Sequence, residues 1–94
     1  MEQNESIELT GRFAAITTFM AYLTAQALRE SPQPAAAVSD ASRELRSSAR
    51  EVIQQLGMPE DIAGPTTAAF TRQIEAIEEM AHRFLKRMAA SDGE

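Results

Sequence analysis

From Phe13 to Leu28 the chain runs sixteen residues without a charge, bounded by Arg12 and Arg29. On a helical wheel of about 100° per residue, this stretch separates into two stripes. Leu9, Phe13, Ile16, Met20, Leu23 and Ala27 recur at spacings of 4, 3, 4, 3 and 4, the seam of large side chains expected to face a core. Ala14, Thr18, Ala21 and Ala25 recur at 4, 3 and 4 on a face about a third of a turn away. These residues are small enough for another helix to come close, although Ala also fills surface positions for propensity alone. The spacing predicts a first helix over about 7–30, with Ser6 as its N-cap and Gly11 as a weak point near its start.

Ser31-Pro32-Gln33-Pro34 ends that helix, because each proline pushes the residue before it out of the helical region. A second helix is expected over about 35–56, its apolar face made by Val38, Ala41, Leu45, Ala49, Val52, Ile53 and Leu56, with Gly57 as a left-handed cap. Ser39 and Asp40 offer a later start. A short turn over 59–63 follows, and then a third helix over about 66–88, opened by Pro65 or Thr66. Phe70, Ile74, Ile77, Ala81, Phe84 and Met88 repeat at 4, 3, 4, 3 and 4, and Leu85 widens the stripe. Residues 1–5 and 90–94 are expected to fray.

Three helices of about 22 residues, each about 33 Å long, predict an all-α fold, a single domain 1–94 forming a three-helix up-down bundle. No strand alternation is evident. Ninety-four residues without a cysteine stand near the lower limit for an unassisted core. A monomeric bundle leaves Phe19 and the small-residue stripe wet. The expectation is therefore a homodimer, through Ala14, Thr18, Phe19, Ala21 and Ala25, completing a larger helical bundle by a twofold contact.

The net charge of -5 changes this picture little, since it lies mainly at the ends and in the connections, where it serves solubility. An acidic start without an apolar signal region suggests a cytoplasmic chain. Sixteen uncharged residues that include three Thr and one Gln fall short of the about twenty a bilayer span needs. Arg43, Arg46 and Arg50, spaced 3 and 4, make a small basic stripe, read as a solvated face or a contact for an acidic partner.

Candidate chemistry is sparse. Glu79-x-x-His82 has the spacing of di-metal helical bundles, but the first helix offers no inward acid, so no metal or other cofactor is expected. A simpler reading pairs His82 with Glu78 at i, i+4 and Glu79 with Arg83. Thr17, Thr18 and Thr24 are expected to bond backbone carbonyls. One His, no Cys and no Gly-x-Ser-x-Gly turn leave nucleophilic catalysis without a set of residues, and no catalytic residue is assigned. A small all-helical dimer resembles the helical chorismate mutases in architecture. That family needs Arg and Lys in its first helix, whereas here nothing cationic stands between Arg12 and Arg29 and Lys86 is the only Lys.

Residues 49–80 have the cadence of a helix-turn-helix, broken at Gly64-Pro65, which makes a DNA-binding regulator an alternative. Its would-be reading helix opens with Pro65-Thr66-Thr67-Ala68 and reaches no base-reading side chain before Arg72 and Gln73, on an acidic chain. Surface attachment to a membrane wants basic residues flanking the apolar face, and the first helix has only its two end arginines. The sequence thus favours a small non-catalytic protein acting by protein–protein contact, as a self-associating module or as a regulator docking on a larger partner.

Overall fold

Helix runs further in both directions than the caps suggest. A computed structural model describes the backbone of residues 2–92 and the side chains of residues 5–91, and every regular element in that range is helical. Helix α1 spans Glu2–Leu28, α2 spans Pro34–Ser47, α3 spans Ala49–Gln55 and α4 spans Glu60–Asp92. The expected fraying of 1–5 and 90–94 falls partly on helical backbone, at 2–5 and 90–92. Met1, Gly93 and Glu94 lie outside the described residues.

The connection after α1 is as short as the prolines imply. Pro34 takes a first-turn position of α2, where its missing N–H is no loss and its fixed φ suits the helix, so Ser39 and Asp40 do not act as a later start. The expected second helix is bent into two at Ser48. There the Ser47 hydroxyl donates to the Glu44 carbonyl at 2.9 Å, and such back-bonding at a serine pair bends a helix. The backbone ladder continues across the bend, from Ser48 N–H to Glu44 O and from Val52 N–H to Ser48 O. Gly57, at φ +72°, ends α3 as its spacing predicted, in the left-handed region where a side chain is strained.

The short turn over 59–63 is a correction. Residues 60–63 form the start of α4, with the Pro59 carbonyl just before it accepting from Ile62 and Ala63 N–H. Pro65 lies inside α4 and does not stop it. A proline this near a helix start removes one backbone bond, the one to the Asp61 carbonyl. Asp61 is exposed, which leaves its carbonyl open to water.

Thr18 lies against Met80 and Tyr22 against Phe84, so α1 and α4 run parallel. Ser39 meets His82 while Arg46 meets Glu78, so α2 runs antiparallel to α4. The course is up, down, up. Helix α4 lies in the middle, touching α1 on one side and α2 and α3 on the other, and α1 and α3 do not meet. The result is a slab of 50 × 34 × 14 Å with a radius of gyration of 15.8 Å, against about 12 Å for a compact chain of this length. Its accessible surface is 7108 Å², where a compact monomer of its mass exposes about 5400 Å².

The third helix's stripe behaves as expected, with Phe70, Ile74, Ile77, Ala81, Phe84, Leu85 and Met88 all buried or half-buried in α4. In the second, Val38, Ala49 and Ile53 are buried, while Leu45 and Leu56 stay exposed. The first helix reverses the expectation. Its large seam faces solvent, and its small side turns inward: Ala21 and Ala25 are 0 % exposed, like Ala81 of α4. Ala21, Val38 and Ala81 form the buried cluster, enclosed by Leu28, Ile77, Met80, Phe84 and Leu85. The reason is shape, since α4 already presents bulky side chains and only a flank of methyl-sized residues lets the two axes draw together.

Two substitutions probe this packing in urea unfolding. Gly57→Ala is expected to cost about 1–2 kcal/mol through left-handed strain. Ala81→Leu is expected to cost about 1–3 kcal/mol by overfilling the point where α1, α2 and α4 converge.

Candidate interaction surface

Residues 5–16 of α1 are exposed on every side, and beyond them the inward turn of Thr17, Ala21 and Ala25 leaves the opposite flank bare. Phe13, Ile16 and Phe19 are 61 %, 60 % and 62 % exposed, and Leu9, Met20 and Leu23 are also open to solvent. At about 100° per residue, the centre of this flank lies roughly 130° from the buried one. Scattered apolar side chains on a surface are ordinary, but a contiguous apolar face marks an interaction site. Only Arg12 interrupts its middle, and its guanidinium is drawn back by Glu8 Oε1 at 2.7 Å.

The five residues expected at a dimer contact are divided by the structure. Ala21 and Ala25 are already covered within the protomer and are corrected to core positions. Ala14, Thr18 and Phe19 are exposed and, with Ala15, Tyr22 and Phe84, line a shallow groove of about 470 Å³ between α1 and α4. In that groove the Tyr22 and Phe84 rings meet edge to face, with centroids 5.7 Å apart, and Arg87 stands 5.9 Å from the Phe84 centroid.

Two threonine hydroxyls of α1 are satisfied locally. Thr18 and Thr24 donate to the carbonyls of Ala14 and Met20, each at 2.7 Å. Thr17 differs from expectation: it is buried and accepts from Gln73 Nε2 of α4, a polar tie within the α1–α4 contact.

The expected basic stripe does not act as one face. Arg43 is exposed and paired with Asp40 at 3.1 Å. Arg46 turns inward, its Nε donating to Ser42 Oγ at 3.2 Å and its guanidinium 3.6 Å from Glu78 Oε1. Arg50, beyond the bend at Ser48, lines a separate groove with Gln54, Met58 and Thr67.

Arg46 thereby joins a polar cluster that knits α2 to α4. Ser39 Oγ donates to Glu78 Oε2 at 3.3 Å and lies 3.2 Å from His82 Nε2. The same His82 nitrogen is 3.5 Å from Glu78 Oε2, the expected i, i+4 partner. Glu79 pairs instead with Arg83 at 2.7 Å on the exposed side, so Glu79 and His82 do not converge. Ser39, His82 and Glu78 are the residue types of a proton relay without its geometry. Serine and carboxylate both address Nε2, whereas a relay needs the acid on Nδ1. The serines of this cluster, Ser39 and Ser42, were missed in the sequence, although their spacing to Arg46 on one helix face was legible.

Foremost the Ser42 hydroxyl, and then Ser39, His82 and Arg46, hold the Glu78 carboxyl below its ordinary 4.5, against burial that pushes it up. Among the described residues, no three His, Cys, Asp or Glu side chains gather as metal ligands, and no helix is long and apolar enough to cross a membrane. No protein-family model, no curated protein and no solved structure matches the chain.

A carboxyl titrating lower in the folded state stabilises the fold above its unfolded value, and that stability is lost as pH falls through the folded value. Thermal melts of the wild type should therefore shift downward as the medium is acidified below pH 4.5. Glu78→Gln should melt lower than wild type at neutral pH and respond less over that acidic window. An unchanged acid response in this variant would remove Glu78 from the account.

Proposed function

We propose that this protein is a small non-catalytic helical module that works by protein–protein contact, with the outward face of α1 as its contact surface. The observation that carries this reading is the inversion in α1. Ala21 and Ala25 are packed inside while Phe13, Ile16, Phe19, Met20 and Leu23 stand in water. A lone protomer gains little from its core, in which the largest fully buried side chain is Val38. Its accessible surface exceeds that of a compact chain of equal mass by about 1700 Å², roughly twice what one partner contributes to an interface of standard size.

Association then completes what the protomer lacks, turning the thin layer of helices into a larger bundle with a core of large side chains. Docking on a different, larger protein is the second form of the same reading, because the groove lined by Ala14, Thr18 and Phe19 extends the apolar surface toward Phe84. The DNA-binding alternative has less support, since α4 runs unbroken across Gly64 and Pro65, where the motif needs its turn.

The test is sedimentation equilibrium with Ile16→Asp. Wild type is expected above the 10.3 kDa of one chain, and Ile16→Asp at that mass with its helical circular dichroism intact. A variant that sediments as wild type does would show that α1 is not the contact surface.

A further inference from the structure

The geometry points to a second copy of this chain as the occupant of the α1 face, with the two α1 helices crossing antiparallel about a twofold axis at Ile16. This rests on the reading of that face as a contact surface, and adds the partner, direction and register. Three observations carry it.

First, the large residues are arranged nearly symmetrically about Ile16. Leu9 and Leu23 stand seven positions to either side, and Phe13 and Phe19 stand three. An isologous contact brings each residue of a patch against its mirror position on the other copy. An antiparallel pair centred on Ile16 therefore sets Leu9 against Leu23 and Phe13 against Phe19, with Met20 the one large residue of the face whose mirror position is not apolar.

Second, charge selects the direction. Glu5, Glu8 and Arg12 lie toward one end of the face, whereas Leu23 and Ala27 at the other end are uncharged. A parallel twofold pair would align Glu5 with Glu5 and Arg12 with Arg12, and like charges brought together repel. Antiparallel pairing sets Arg12 beside Met20 and Glu5 beside Ala27. The Arg12 stem then covers apolar surface while its head stays with Glu8.

Third, area selects the occupant. The excess exposure of about 1700 Å² per chain is spread over the whole surface, and the roughly 800 Å² that each partner buries in an interface of standard size is about half of it. The slab leaves this flank uncovered by any element of its own chain, since α1 touches only α2 and α4.

The chain has no cysteine, so single introduced thiols report register directly. Leu9→Cys and Leu23→Cys proteins are purified separately, mixed, allowed to exchange and oxidised. All cross-linking is read on denaturing gels, and folding is checked by circular dichroism. The expected result is a covalent dimer in the mixture and little from either protein alone, with Ile16→Cys linking to itself. Efficient self-linking of Leu9→Cys, without linking in the mixture, would overturn the antiparallel register while leaving α1 as the contact surface. Wild type sedimenting as a single chain at all concentrations, with no cross-linking, would overturn the second copy as partner. Association that persists in Ile16→Asp would instead overturn the contact surface itself.

Discussion

The close packing of α1 on α4 through methyl-sized side chains is the contact on which the rest depends. Ala21 and Ala25 on one helix and Ala81 on the other have no exposed surface, and this allows the two backbones to approach within a layer that also takes in Val38 of α2. Helix–helix contacts accept either interlocked large side chains or near contact over small ones. Here α1 supplies Ala21 and Ala25, and α4 sets Ala81 among large side chains such as Ile77, Met80 and Phe84. Once that choice is made, the periodicity of a helix sends Phe13, Ile16 and Met20 to the far side.

The other flank of α4 is held by a different kind of interaction. Between α2 and α4, hydroxyls, a carboxylate, an imidazole and a guanidinium form a half-buried network around Glu78. Such a network fixes register, because each donor has a designated acceptor, and it contributes less through transfer from water than apolar burial does. The two flanks thus divide the work: alanines set distance on one side and polar groups set register on the other.

Much of the fold was legible because the relevant signals are local. Gly57 ended its helix, the prolines at 32 and 34 marked the first connection, and the stripe from Phe70 to Met88 faced inward throughout. The errors share a cause. Pro65 was read as a boundary because proline breaks helix interiors, yet near a helix start it costs only one bond whose acceptor water can satisfy. The α1 seam was assigned inward because size is the usual guide to burial, whereas the orientation of α1 was decided by the shape of α4. The stripe of Ala14, Thr18, Ala21 and Ala25 was read as permitting close approach, and it is covered at Ala21 and Ala25 but exposed at Ala14 and Thr18. Its partner was within the chain at Ala21 and Ala25, and sequence spacing carries no information on whether a neighbour is internal. Arg46 turned toward Glu78 for a similar reason: the bend at Ser48 and the position of α4 are tertiary facts.

The tie between Thr17 and Gln73 joins positions 56 residues apart, and this has a bearing on synthesis. During translation α1 emerges well before the surface it packs against, so both of its flanks, the alanine one and the aromatic one, pass through an interval of full hydration. Until Gln73 and the rest of α4 follow, water alone covers either flank of this helix.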